Sequence, residues 1–142
     1  MEITSTNVIY DNVVDALNTL ISDEFSIPVR YDEHTGNQSF LITPSSDTLI
    51  EHTTNTQVRE YTLEINYQLK SGGKYTMNNF KRVAIITERL KRLIQNNTVN
   101  GSGTTYKWQD GNATSIEYER DEDDPSILSS LLTFNCVVQE SY

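Results

Sequence analysis

The sequence predicts a single α+β domain, an antiparallel sheet covered on one face by two helices, and three observations carry that prediction. From Arg59 to Lys70 the residues alternate: Tyr61, Leu63, Ile65, Tyr67 and Leu69 against Glu60, Thr62, Glu64, Asn66, Gln68 and Lys70. A period of two marks a strand with one buried and one wet face. After Ser71-Gly72-Gly73 the period lengthens. Phe80, Val83, Thr87, Leu90 and Ile94 recur at three- and four-residue steps, as on one face of an amphipathic helix. Near the end, Leu132, Phe134, Cys136 and Val138 alternate again and predict a closing strand.

The first element is a helix expected over about residues 7–22. Ile9, Val13, Ala16, Leu17 and Leu20 line one side, and Ser5 or Thr6 can cap it. Pro28 marks the exit. A short strand is expected at 29–31, a turn at His34-Thr35-Gly36-Asn37, and a hairpin partner at 39–43. Pro44-Ser45-Ser46-Asp47 reads as the break of that strand, and Leu49 to Gln57 as an extended edge or a mobile loop. The long strand at 59–70 leads into the helix at about 78–96. Asn100-Gly101-Ser102-Gly103 lies in an expected flexible connection. Strands at 106–108 and 115–120 flank Asp110-Gly111-Asn112, a hairpin-turn signal. An acidic loop over 120–125 precedes the last strand, 132–139. The chain shows no internal repeat, so residues 1–142 read as one domain.

A chain of 142 residues is long enough to bury roughly two-thirds of its unfolded surface. It lacks a run of about 20 apolar residues, and its start lacks the basic-then-apolar pattern of a secretory signal. Synthesis in a cytosol and no membrane association are therefore expected. Cys136 is the only cysteine and reads as a buried core thiol. The formal charge is −9. Lys81, Arg82, Arg89, Lys91 and Arg92 against Glu88 give residues 81–92 a net +4, so the remainder carries −13. That balance disfavours a surface that grips nucleic acid.

No constellation predicts catalysis. In Asp121-Glu122-Asp123-Asp124, Ser126 stands where a calcium loop needs its glycine and Leu132 where it needs its glutamate. No metal site or cofactor is expected. His34 and His52 read as exposed loop or edge residues outside any zinc-binding spacing. Ser71-Gly72-Gly73-Lys74 is not followed as a phosphate loop would be. Glu117 and Glu119 share one face of a strand, a spacing too common to signal acid–base chemistry. On a helical wheel, Lys81, Arg82, Arg89 and Arg92 lie opposite the apolar arc with Ile85 among them. Three readings are open: a solvated helix face, a contact patch in which arginines ring an exposed isoleucine, or a nucleic-acid site, which the acidic remainder of the chain opposes.

The element order and the place of the strongest helix resemble the tail terminator proteins of long-tailed bacteriophages, also called tail completion or head–tail joining proteins. The resemblance runs from Asn7 to Gln139 and rests on no short motif, so no functional residue transfers with it. It implies a virion protein without enzymatic activity that closes into a hexameric ring. Such a ring caps the tail tube protein and presents it to the head-completion or connector protein. The expected subunit contact sets Arg82, Ile85, Arg89 and Arg92 of one copy against Glu117, Glu119, Asp121, Asp123 and Asp124 of the next. The rival readings are another head–tail connector or tail-tube component, or a stand-alone α+β ligand-binding module.

Overall fold

Two helices pack on one face of a curled six-stranded sheet whose strand order is β1-β2-β3-β6-β5-β4. The computed structural model describes residues 8–70, 77–102, 105–124 and 126–141. The strands are β1 Val29–Arg30, β2 Gln38–His52, β3 Thr56–Lys70, β4 Asn100–Ser102, β5 Thr105–Arg120 and β6 Ile127–Ser141. The helices are α1, Asp15–Glu24, and α2, Met77–Gln95. A π-helical segment, Ile9–Val14, runs directly into α1.

The long strand and the second helix lie where their periodicities place them. Tyr61, Leu63, Ile65, Tyr67 and Leu69 are buried under the helices, as are Leu132, Phe134, Cys136 and Val138 of β6. From α2, Val83, Ile86, Leu90 and Ile94 enter the same core. Thr87 is fully buried too, and its hydroxyl donates to the Val83 carbonyl at 2.7 Å. Its oxygen also meets the buried Ser130 hydroxyl at 2.6 Å, so both polar groups on the helix–sheet contact are satisfied. Burial pushes the Cys136 thiol up to about 12, with the Glu60 carboxylate adding to the effect. The thiol is therefore protonated at neutral pH.

The first helix differs in detail. Its wide π turns rotate the buried stripe, so Val13, Val14, Leu17 and Ile21 are buried while Ile9, Ala16 and Leu20 are only partly covered. The expected caps Ser5 and Thr6 lie outside the described residues.

Three connections depart from the sequence reading. β1 pairs parallel with β2 (Val29 with Phe40, Arg30 with Leu41), not as an antiparallel hairpin. The sheet is therefore mixed at that edge. β2 continues through Pro44, where the sequence predicts a break, to His52. The extended-edge reading holds for Leu49 to His52, residues 53–55 connect the strands, and Thr56 and Gln57 open β3. Beyond Leu41 the outer edge of β2 has no partner in β1, and an edge tolerates proline because its missing N–H breaks no ladder there. The ladder instead shifts register between Pro44 and Ser46 and again between Leu49 and Glu51. Finally, Asp110-Gly111-Asn112 is no hairpin turn. β5 runs straight through it with a register shift between Gln109 and Asn112, and Asp110 takes a φ of 51°. The hairpin is made by β4 and β5, Ser102 opposite Thr105, inside the expected flexible connection.

Candidate interface surface

The outward side of α2 is built by the wheel position of Arg82, Ile85, Arg89 and Arg92, all exposed. Ile85 keeps 51% of its surface accessible. The structure shows what the wheel cannot, namely how each cation is engaged. Arg89 donates to both the main-chain carbonyl and the carboxylate of Glu24, at 3.1 and 3.0 Å. Its guanidinium also lies 4.5 Å from the centroid of the Phe25 ring. Arg89 thus pins the end of α1 to α2. Glu88 meets Lys91 at 2.9 Å and Arg92 at 3.6 Å, which holds its own carboxyl below the ordinary range through the Lys91 hydrogen bond first. Arg82 lies near the Tyr67 phenol, whose pKa rises because burial outweighs that cation. Among the described residues Arg92 meets only Glu88, at 3.6 Å, and keeps 71% of its side chain exposed.

These side chains border a groove of about 440 Å³ between the end of α1 and α2, lined by Glu24, Ile85, Glu88, Arg89, Arg92 and Leu93 with Asn96. Glu24, Phe25 and Leu93 were not legible as part of this surface. Arg89 and Glu24 are 65 residues apart, and only packing brings them together.

The acidic half of the expected contact lies elsewhere. Glu117 pairs with Leu131 and Glu119 with Ser129, which puts both on the sheet face turned away from the helices. Glu60 and Glu64 of β3 share that face. Asp121, Asp123 and Asp124 form the tight β5–β6 turn. One Asp121 carboxylate oxygen accepts from the main-chain N–H groups of Asp123 and Asp124. An oxygen of Asp124 accepts from the N–H and hydroxyl of Ser126, and these bonds, with Lys70 nearby, lower its pKa. The turn therefore organises itself through its own carboxylates. Among the described residues, no ion pair joins residues 117–124 to the α2 arginines.

His34 is not a freely exposed loop residue. Its Nδ1 lies 2.6 Å from the Ser39 hydroxyl and its Nε2 2.5 Å from Asn66 Oδ1. With Asn66 Oδ1 accepting, Nε2 carries the proton and Nδ1 accepts from Ser39. The arrangement has the outline of a serine–histidine–amide relay, but Ser39 is only 1% exposed and no substrate can reach it. Its effect is to tie residues 31–37 onto the outer face of β2 and β3. Burial pushes the His34 pKa below its ordinary 6.5, against the hydrogen bonds from Asn66 and Ser39, while Lys70 adds to the depression. A histidine whose folded pKa is lowered contributes its full stability above the unfolded value and loses it as pH falls through the folded one. Denaturation midpoints should therefore fall for the wild type between about pH 7 and pH 5 more steeply than for His34→Gln. A wild-type-minus-variant difference that stays flat across that range would refute the tie. His52 is exposed, as expected.

No protein-family model matches this chain, and no curated protein matches it.

Proposed function

We propose that this chain is a structural subunit that associates head to tail into a homo-oligomeric ring, capping a phage tail tube and joining it to the head connector. The observation that carries the reading is the division of charge across the sheet. Arg82, Arg89 and Arg92 lie on the helix side around an exposed isoleucine, while Glu60, Glu64, Glu117 and Glu119 face away on the other side. Head-to-tail contacts require two different, complementary surfaces on one subunit. The resemblance in element order to tail terminators supplies the biological role.

Arg89 and Arg92 are partly neutralised within the chain, and exposed pairs are weak and screened by salt. Charge therefore sets the register, while apolar contact around Ile85 supplies most of the affinity. The test is charge reversal scored by tail assembly and native mass spectrometry. Arg89→Glu with Arg92→Glu should block assembly, as should Asp123→Lys with Asp124→Lys, and the combined variant should partly recover. Normal assembly by both sets would reject this contact. Failure of the wild type to form oligomers even with tail tubes present would reject the ring.

A further inference from the structure

Between β1 and β2 the chain lies over the outer face of the sheet, and from Asp32 to Gly36 every residue but His34 is exposed. The two ends of this segment are fixed independently of it. Tyr31 meets the edge of the Tyr10 ring at 6.5 Å, and the Asn37 carbonyl accepts from the Lys70 N–H at 2.8 Å. Arg30 donates to the Thr35 hydroxyl at 3.0 Å, a contact from β1 and not from the strands beneath. What holds the middle to β2 and β3 converges on one place. His34 meets Ser39 and Asn66, and the Thr35 N–H shares the same Ser39 oxygen at 3.3 Å.

The neutral ring satisfies every hydrogen there. Asn66 donates through Nδ2 to the Ser130 carbonyl at 3.1 Å, which turns its Oδ1 toward His34 and fixes the ring proton on Nε2. Nδ1 then accepts the Ser39 hydroxyl proton at 2.6 Å. A second ring proton on Nδ1 would set two donors against each other across that distance. The hydroxyl would have to turn away, yet Ser39 is 1% exposed and shut off from solvent. Among the described residues its oxygen meets only His34 and Thr35, so the displaced proton has no acceptor. Charge acts in the same sense. Lys70 of β3 opposes a positive ring, Ser39 and Asn66 are neutral, and Asp32 and Glu33 on the segment itself are exposed.

We propose that residues 32–36 are an acid-released strap, in which protonation of His34 undoes the one clasp and frees the segment while the core stays folded. No side chain of the strap belongs to the hydrophobic core, so release exposes none of it. Gly36, at a φ of 69° with open space around it, gives the strap a joint at its far end. The docked ring is the neutral one. Closure is therefore strongest above the ordinary histidine value and weakens as pH falls through the lower value that burial, with Lys70, gives the docked ring. Release uncovers Ser39 and Asn66 on the sheet face that carries Glu64. The device does not depend on the proposed ring.

Cleavage after Glu33 by a glutamyl endopeptidase tests it on the full chain. Each rate is divided by that of a matching peptide over residues 28–38 in the same buffer, which removes the enzyme's own pH dependence. From about pH 7 to about pH 5 the ratio should rise several-fold for the wild type and stay flat for His34→Gln, whose amide does not titrate. For Ser39→Ala the rise should come at higher pH, because the neutral ring loses its donor and protonation strands no hydroxyl. Fluorescence of the buried Trp108, recorded alongside, should hold steady through the wild-type rise. A flat wild-type ratio, or an equal rise for His34→Gln, would overturn the clasp. A rise that tracks a change in Trp108 fluorescence would replace local release by unfolding. A Ser39→Ala rise at or below the wild-type pH would reject the stranded hydroxyl as its cause.

Discussion

Leu90→Ala and Ile65→Ala should each lower the unfolding free energy by about 2–5 kcal/mol, the range for large-to-small changes in a packed core. Leu90 is 1% exposed and Ile65 fully buried. Ile65 sits between Ile42 of β2 and Leu132 of β6 in the ladder, and each neighbour is itself fully buried. Truncation there leaves a void that rigid strands on either side cannot close. Leu90 projects from α2 into the same layer, where Thr87 and Ser130 fix the helix against β6 and oppose its collapse into the gap. Ile85→Ala is the control. It lies on the same helix with half its surface in solvent, so its change should stay within about 0.5 kcal/mol. Urea denaturation measures all three, and losses below half a kcal/mol at both core sites would show that the buried faces are misassigned.

Gly111→Ala should cost about 1–3 kcal/mol by overpacking, and Trp108→Ala about 3–5 kcal/mol by cavity formation. A Cβ at Gly111 would lie 2.7 Å from Trp108 Nε1, 2.9 Å from Cδ1, and 3.2 Å from the Phe134 ring. Trp108 cannot yield easily. It is 1% exposed, packs edge-on to Phe134 at 5.3 Å, and donates its indole N–H to the Asn97 carbonyl at 2.9 Å. Because the two changes share one space, the double variant should lose less than the two single losses added together. Trp108 is the only tryptophan, so fluorescence reports on this site directly for Gly111→Ala. Additive losses, or a Gly111→Ala variant as stable as wild type, would mean that the strand does not pass this close to the indole.

The fold was readable wherever one residue pattern and one solvent boundary coincided. β3 has a buried and a wet face, so its alternation survives intact. The same holds for the even-numbered residues of β6 and the apolar arc of α2. Elsewhere the local signal was outweighed. Pro44 looks like a stop, yet an edge strand needs no N–H on its open side. Asp110-Gly111-Asn112 has turn chemistry, yet the value of burying Trp108 against Phe134 makes the glycine a point of close approach within a continuous strand. β1 lies parallel to β2, a pairing sense that two residues of sequence cannot encode.

The candidate surface divides the same way. Helical geometry by itself determined that Ile85 stands among Arg82, Arg89 and Arg92, because a fixed turn per residue places side chains without reference to the rest of the chain. Sequence likewise determined the acidic run and its lack of calcium-loop spacing. Only the tertiary structure decided which charges are already spent. Arg89 is held by Glu24 and Phe25, Asp121 and Asp124 by their own turn, and His34 by Ser39 and Asn66. Each of these contacts, the Asp turn apart, joins separate elements, and whether a charge is free depends on distances that no pattern of neighbouring residues contains.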